Sequence, residues 1–318
     1  MSERSLSLSK GLEEVSVPTD RPELLAACWT SAGNVVPFRG LLTSPWDVRD
    51  RIAAVAAAGY TGFGLTREDL VVARDTIGLP AVAASLREHG ITTVQLEWIT
   101  NWWTDGELRR ASDEARADLF EACPVLGVDN IKVGADDDGR PVSYAQLCDG
   151  FGALAEAGAQ VGVKIGFENT PFSHHVRTTE QAIAFVTDVG HRNGGMIVDI
   201  WHAYRGGSEY RVIPETLPLE HVFGVELDDG RHEVVGTGHA NPDLEDTFDN
   251  RLVCGEGVFD VPGFILSLRA LGWAGPWGVE HMSTEFRALP VADALERARD
   301  GVLACFAEAD RRAAAASG

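Results

Sequence analysis

The chain has 318 residues, of which 45% are apolar, and a net charge of −21 from 48 acidic and 27 basic side chains. This length suits one large α/β domain or two smaller ones, with an ample core. So acidic a surface repels the phosphates of nucleic acids and anionic lipids, so we expect neither nucleic-acid nor membrane partners. Five scattered cysteines without CxxC spacing, and an N-terminus without an apolar segment, predict a soluble cytoplasmic protein.

Residues 1–22 are polar and contain Pro18 and Pro22, which predicts an N-terminal arm. After the arm, short apolar segments typical of buried parallel strands alternate with segments typical of helices. The predicted strands are Leu24–Thr30, Tyr60–Thr66, Ile91–Trp98, Asn130–Gly134, Val161–Thr170, Gly195–Asp199, Val222–Glu226 and Trp277–Glu280. The predicted helices are Pro45–Ala58, Ala81–His89, Glu107–Cys123 (ended by Pro124), Tyr144–Ala157, Thr179–Val189, Val261–Leu271 and Val291–Ala309.

Strands that alternate with helices and mostly start about 30–40 residues apart predict a single (β/α)8 TIM barrel. The barrel is expected over residues 23–310, followed by a flexible tail at 311–318. A doubly wound sheet is the alternative, but that fold usually has a glycine-rich phosphate loop after its first strand, where this chain reads T-S-A-G-N-V-V-P. Residues 228–260, which contain His239, predict a long loop on the active face between the seventh and eighth strands.

Four of the predicted strands end in an acid: Glu168, Asp199, Glu226 and Glu280. The C-terminal ends of barrel strands form the active face, so these carboxylates are expected to converge there. A ring of buried carboxylates is costly unless a cation lies in it, and oxygen ligands favour Mn²⁺ or Mg²⁺, with Co²⁺ as a further choice. The competing interpretation is that each acid caps the helix that follows it. Period-two counting also places Gly166, Gly224 and Gly278 below three of the acids, which indicates either close approach of a ligand or a tight bend.

Polar side chains that follow these strands are candidates for contacts with a substrate. His202 comes three residues after Asp199 in D-I-W-H, and Arg251 comes ahead of C-G-E-G. The competing interpretations are that His202 packs in the core and that Arg251 pairs with one of its acidic neighbours. His174 follows the fifth strand and is expected to line the mouth of the barrel, although two adjacent loop histidines are a weak signal.

Two lysines and a tryptophan lie within or at the end of predicted strands. An unpaired ammonium is costly in an apolar strand, so Lys164 is expected to neutralise an acid deep in the barrel. Lys132, nearer a strand end, is the candidate for a substrate contact. Trp98 ends the third strand beside Glu97 and is expected to lie under a sugar ring or to pack in the core.

At these residues the sequence resembles the xylose isomerase-like TIM-barrel superfamily, the sugar phosphate isomerases and epimerases. The similarity rests on G-F-E-N-T-P, M-I-V-D-I-W-H, R-L-V-C-G-E-G-V-F-D and L-G-W-A-G-P-W-G-V-E in the second half, while the first half matches in layout. The resemblance implies that Glu168, Asp199 and Glu280 bind a metal and that Glu168 and Glu280 form an acid–base pair. It further implies that His202 and Arg251 hold substrate oxygens.

Two positions depart from the family pattern. The seventh strand ends in Glu226 where the family usually has histidine, and the second strand ends in G-F-G-L where the family often has an acid. Four carboxylates around one divalent ion leave a surplus of about two negative charges, so one of them is expected to be protonated or paired with a basic side chain. The endonuclease branch of the superfamily is excluded, because this acidic chain lacks its basic groove and its additional histidines.

The predicted function is a metal-dependent isomerase or epimerase that transfers a proton next to the carbonyl of a small carbohydrate. Glu168, Glu280 and His202 are the predicted catalytic residues. One alternative is a lyase or dehydratase, in which the same enolate expels a β-substituent. Another is a barrel that binds a sugar without converting it, as a partner subunit. Family analogy also implies a homo-oligomer.

Overall fold

The structure is a computed structural model that describes residues 21–37, 39, 42–134, 140–236 and 241–318. Parallel strands hydrogen-bond to one another in chain order and the last strand closes on the first, which forms an eight-stranded barrel. The predicted (β/α)8 barrel is therefore confirmed. The strands are β1 (Leu24–Ala26), β2 (Gly62–Thr66), β3 (Thr93–Ile99), β4 (Asn130–Val133), β5 (Lys164–Phe167), β6 (Gly194–Asp199), β7 (Val222–Leu227) and β8 (Trp277–Val279).

Helices surround the strands and cover their outer faces. They are α1 (Val48–Ala57), α2 (Arg67–Thr76), α3 (Leu79–Glu88), α4 (Gly106–Leu126), α5 (Tyr144–Gln160), α6 (Thr179–Val189), α7 (Ile200–Arg205), α8 (Val212–Thr216), α9 (Pro242–Asp249), α10 (Val261–Leu271), α11 (Thr284–Arg287) and α12 (Val291–Ala316). No helix among the described residues has both the length and the apolar content needed to cross a bilayer. The predicted arm lies almost wholly outside the described residues, and so does His239.

Local sequence signals explain where several helices begin and end. Ser143 and Gln146 form a capping box at the start of α5, and Thr178 and Gln181 form another at the start of α6. Gly190 ends α6 in the left-handed conformation that glycine adopts without strain. The bounds predicted for α6 are confirmed for this reason, and those predicted for α10 are confirmed because Asp260 caps its start and the left-handed Gly272 ends it.

Three predicted helix ends were too early, and one of them is the end of α5, which continues past Ala157 to Gln160. The helix α4 continues past Pro124 to Leu126 and ends at the left-handed Gly127, because a proline removes only one hydrogen bond and does so here in the last turn. The helix α12 extends to Ala316 instead of Ala309. The predicted flexible tail is therefore largely helical, since alanine has the highest helix propensity.

The segment between β7 and β8 is more ordered than the long loop that the sequence predicts. It contains the helix α9, and its two sides meet in an antiparallel bridge between Asp229 and Leu252. The carboxylate of Asp229 accepts backbone hydrogen bonds from Gly255, Gly257 and Phe259, each at 2.9 Å. These contacts hold the returning chain against the barrel and bring Arg251 to its mouth.

The inward-facing glycines of the strands make room for neighbouring side chains. A Cβ atom on Gly166 or Gly224 would lie 2.6 or 2.9 Å from Cδ1 of Ile197. On Gly278 it would lie 2.5 Å from the carbonyl oxygen of Val225 and 2.7 Å from Cγ of Glu226. Of the two interpretations, close approach of a ligand or a tight bend, the ligand interpretation is not supported, because atoms of the barrel itself fill the space beside these glycines.

Candidate metal and active site

Four buried carboxylates meet at the C-terminal end of the barrel. Glu168 follows β5, Asp199 ends β6, Glu226 lies in β7 and Glu280 follows β8. One oxygen from each lies within 4.8 Å of an oxygen from every other, and we call this group the carboxylate ring. The strand register explains the convergence, since Asp199 pairs with Glu226 and the amide of Glu280 donates to the carbonyl of Leu227 at 3.1 Å.

The interpretation of the acids as helix caps holds for one member of the ring. Oδ1 of Asp199 accepts a hydrogen bond from the amide of Trp201 at 2.7 Å and caps α7, while Oδ2 lies 2.7 Å from Nη1 of Arg251. The helices after β5, β7 and β8 begin instead at Thr178, Asn241 and Ser283. The other three carboxylates therefore cap no helix.

Lys132 in β4 carries a fully buried ammonium group next to three of the four ring acids. Its Nζ lies 2.8 Å from Oε2 of Glu226 and 2.7 Å from Oε1 of Glu280. Two further carboxylates approach it less closely, Glu97 at 3.5 Å and Glu168 at 3.6 Å. Lys132 therefore contacts one acid from each of four strand ends.

The role expected of Lys164, neutralising an acid deep in the barrel, was wrong. Lys164 begins β5 at the opposite end of the barrel and is exposed, with its Nζ 4.8 Å from the ring centroid of Phe223. The predicted strand began three residues too early, at Val161, which displaced the position expected for this side chain along the barrel axis.

Arg251 is the second buried cation of the site. Its Nη1 lies 2.7 Å from Oδ2 of Asp199 and 2.8 Å from Oδ2 of Asp228 and Oε2 of Glu280. Asp228 was not predicted as a site residue, although it lies two residues after Glu226 and period-two counting places both side chains on one face. The pairing interpretation of Arg251 is therefore correct, and substrate binding by its guanidinium stays a prediction.

His202 lies on α7, beside the carboxylate ring. Its Nε2 is 3.7 Å from Oε2 of Glu168, 3.6 Å from Oδ2 of Asp199 and 3.2 Å from Nη2 of Arg251. Burial, assisted by the charge of Arg251, lowers the pKa of His202 well below its ordinary value. The imidazole is therefore neutral near pH 7. Its Nδ1 has no hydrogen-bond partner among the described residues.

Burial also makes the charged form of the acids unfavourable. It raises the pKa of Glu168 well above the ordinary value, against the opposing effect of Lys132. It raises the pKa of Glu226 to about 8, with Glu280 adding to the effect. A divalent cation would reverse these shifts, because it stabilises the ionised carboxylates.

The ring satisfies two requirements of a divalent metal site. Oxygens bound to one ion at about 2.1–2.4 Å lie at most about 4.2–4.8 Å apart, which agrees with the separations in the ring. In addition, Oε1 of Glu168 and Oε1 of Glu226 are buried and have no hydrogen-bond partner in the described part of the chain. Buried oxygens without a donor are ready to bind a cation. The residues present therefore fit a hard divalent ion.

A cavity of about 340 Å³ opens above the ring. Its floor includes Lys132, Glu168, His202, Arg251 and Glu280. Its walls are largely apolar and include Trp29, Trp98, Phe172, Leu244, Phe248 and Met282. The site thus combines a charged floor with largely apolar walls.

Two predicted substrate contacts have different outcomes. Trp98 lies in the cavity wall, where a substrate contact stays a prediction. His174 does not line the cavity: it is exposed and stacks edge-on against His175, with their ring centroids 4.7 Å apart. The expected position of His174 was wrong, because the loop directs Thr170 and Phe172 into the cavity instead.

Comparison with known proteins agrees with this fold. Residues 52–303 match the family described as xylose isomerase-like TIM barrel, and the chain belongs to this family. Among solved structures, the IolI protein with a bound zinc atom superposes with a TM-score of 0.74 at 18% identity, covering 90% of this chain and 98% of that one.

Two groups of curated relatives are similar in sequence. The 3-dehydroshikimate dehydratase of Pseudomonas aeruginosa is 29% identical over 247 residues, which are 76% of this chain but 37% of that enzyme. The inosose isomerase of Bacillus subtilis is 26% identical over 189 residues, 57% of this chain and 64% of that enzyme. This chain thus spans little more than a third of the length of the dehydratase.

Proposed function

We propose that the protein is a metal-dependent isomerase or epimerase that transfers a proton next to the carbonyl group of a small carbohydrate or cyclic polyol. The observation that carries this proposal is the convergence of four buried carboxylates, two of them with oxygens that lack a partner among the described residues. The proposed metal ion is Mn²⁺, because all four ligands are oxygens, with Mg²⁺ or Co²⁺ as further choices. When bound, the metal supplies positive charge that makes a C–H bond beside a carbonyl more acidic.

The proposed proton transfer uses Glu168, Glu280 and His202. Both oxygens of Glu280 are held by cations, Oε1 by Lys132 and Oε2 by Arg251. Oε1 of Glu168, by contrast, is buried and has no hydrogen-bond partner among the described residues. Glu168 is therefore the group that removes the proton, and Glu280 or His202 returns one.

The walls of the cavity support this chemistry. Trp98 and Phe172 cover the charged floor and lower the local dielectric, which strengthens interactions between the floor and a bound carbonyl compound. Arg251 fixes Asp199 and Glu280, so these carboxylates do not need to reorganise when a substrate binds. We further propose a cytoplasmic location, in agreement with five cysteines that are all free thiols.

A lyase is the second candidate, and the similarity to 3-dehydroshikimate dehydratase favours it. The first step would be the same proton removal by Glu168. The electron pair left on carbon would then expel the hydroxyl on the next carbon, and this hydroxyl would leave as water with the proton that Glu168 took up. The two candidates therefore share their residues and differ in the product.

The test is metal content followed by proton exchange. Purified protein, with Mn²⁺ supplied, should contain about one metal ion per chain by mass spectrometry, and Glu168→Gln should lose most of it. Keto-sugars and keto-polyols incubated in D₂O should exchange one C–H by NMR, about 10²–10⁴-fold more slowly with Glu280→Gln. A product of unchanged mass indicates an isomerase, and loss of water indicates a dehydratase. Failure to bind Mn²⁺, Mg²⁺ or Co²⁺ would contradict the proposal and favour a sugar-binding subunit.

A further inference from the structure

The shortest contacts of Lys132 are with carboxylates of the proposed metal site. Its ammonium is buried among acids and makes its two shortest contacts, 2.8 and 2.7 Å, with Glu226 and Glu280 of the carboxylate ring. In the described part of the chain, no other side-chain cation lies within 4.0 Å of Glu226. Arg251, the other buried cation, contacts Asp199, Asp228 and Glu280. The two cations therefore serve different carboxylates and share only Glu280.

The charge of the ring explains why a second cation is needed on the β7 side. Four carboxylates around one divalent ion leave a surplus of two negative charges, and each surplus charge is costly in a buried site. Arg251 offsets one charge at Asp199. Among the described residues, Lys132 alone is placed to offset the charge of Glu226.

We propose that Lys132 and Glu226 act as one charge-neutral unit, in which Lys132 supplies the fixed counter-charge that allows Glu226 to be a metal ligand. Lys132 is thus a positioning residue and does not itself react. This inference rests on the proposed metal site. It assigns to Lys132 a role different from the substrate contact predicted from the sequence.

The geometry of Glu226 suits such a shared role. Its Oε2 accepts a hydrogen bond from Lys132, whereas its Oε1 is buried without a partner among the described residues. One oxygen is therefore engaged by the ammonium and the other is available to the ion. Because Lys132 lies on β4 and Glu226 on β7, the pair also connects two strands across the barrel mouth.

The test is a double-mutant cycle on metal affinity. Mn²⁺ is titrated by calorimetry into chelator-treated full-length protein carrying Lys132→Met, Glu226→Gln, both changes or neither. We expect Glu226→Gln to weaken binding about tenfold or more while Lys132 is present, because the ammonium then repels the ion with one carboxylate fewer between them. In the Lys132→Met background the same change should alter affinity by less than about threefold. Lys164→Met is the matched control, and it should leave Mn²⁺ affinity unchanged because Lys164 lies at the other end of the barrel.

Each outcome decides between the inference and the metal site on which it rests. If wild type binds Mn²⁺ but Glu226→Gln has the same effect in both backgrounds, the pairing of Lys132 with Glu226 is overturned and the metal site stands. If wild type binds no metal, the metal site itself fails. If Lys132→Met does not fold, the double variant decides: folding restored by Glu226→Gln supports the unit, and folding still lost overturns it.

Discussion

The two ends of the barrel interior differ in the charge of their buried polar side chains. At the N-terminal end, Nε2 of Gln95 donates to Oδ1 of Asn130 at 3.1 Å, and Nδ2 of Asn130 donates to the carbonyl of Phe223 at 3.2 Å. These neutral amides border a cavity of about 310 Å³. At the C-terminal end, carboxylates surround two buried cations. The two amides hydrogen-bond to each other, although Oε1 of Gln95 is buried without a partner among the described residues. At the charged end the buried acids outnumber the two cations, and a divalent metal ion would offset this surplus of negative charge.

The largest loss of stability is expected when a cation is removed from the charged end. Arg251→Met would leave Asp199, Asp228 and Glu280 without the guanidinium that contacts all three. Removing one partner of a buried ion pair typically costs about 3–5 kcal/mol. We expect the free energy of unfolding of the metal-free protein, measured with urea, to fall by about that amount.

Arg211→Met is the matched control for this prediction. The side chain of Arg211 is 70% exposed, although it also pairs with two acids, Glu209 and Glu215. Its loss should change the free energy of unfolding by less than about 0.5 kcal/mol. Equal losses in both variants would contradict the view that burial makes the Arg251 contacts important.

A second test changes the shape of the charged end without changing its charge. Gly278→Ala would place a methyl group 2.7 Å from Cγ of Glu226 and 2.5 Å from the carbonyl oxygen of Val225. Overpacking of this kind typically costs about 1–3 kcal/mol, and we expect it also to weaken Mn²⁺ binding by displacing Glu226.

Gly152→Ala, in the helix α5, provides the comparison. The new methyl group would meet only Cγ1 of Val189 at 3.7 Å, an ordinary contact, and alanine favours the helix by about 0.5–1 kcal/mol. A rise in melting temperature for Gly152→Ala and a fall for Gly278→Ala is the expected pair of results. Unchanged Mn²⁺ affinity in Gly278→Ala would show that Glu226 does not depend on this space.

The barrel and its four ring acids could be predicted from the sequence because both follow from strand ends. Apolar segments that stop at an acid, repeated around a parallel barrel, place the acids on one face regardless of small errors in strand length. The position of a side chain along the barrel axis depends more strongly on where its strand is predicted to start. An error of three residues at the start of β5 was enough to place Lys164 deep in the barrel, when it lies exposed at the far end.

The ionic partners could not be predicted because they come from segments distant in sequence. Lys132 and Glu226 are 94 residues apart, and Arg251 reaches Asp199 over 52 residues. Which acid meets which cation depends on the stagger of the strands and on the return of the loop held by Asp229. Neither property is encoded in a local pattern. The same applies to the loop after β5, where local sequence did not reveal that Phe172 turns inward and His174 outward.

The stability of the protein should also depend on pH through the acids at the charged end. Burial raises the pKa of Glu226 from 4.5 to about 8, so between these values the folded metal-free protein keeps a proton that the unfolded chain releases. The free energy of unfolding should therefore fall as the pH rises through this window, by up to about 1.4 kcal/mol per pH unit for each such group. Below about pH 6.5, His281 acts in the opposite direction, because burial lowers its pKa to about 3.

Melting temperatures of chelator-treated protein between pH 6.5 and 8.5 test this sign. Glu226→Gln should flatten the decline. Gln95→Leu, which leaves Oδ1 of Asn130 without its donor at the neutral end, should lower the melting temperature by a similar amount at every pH. A decline as steep in Glu226→Gln as in wild type would assign the titration to another acid of the site.

The smallest expected effect on stability concerns the loop after β5, where one residue lies in the cavity wall and another on the surface beside it. His174 and Phe172 are two residues apart, but only Phe172 lines the cavity above the charged floor. His174→Ala should change the free energy of unfolding by less than about 0.5 kcal/mol and leave proton-exchange rates unchanged, because the side chain is exposed. Phe172→Ala should raise the KM for the exchanged substrate, since it removes apolar contact area from the wall. A loss of exchange in His174→Ala at unchanged stability would mean that this loop moves over the cavity when substrate binds and that the original prediction for His174 was correct.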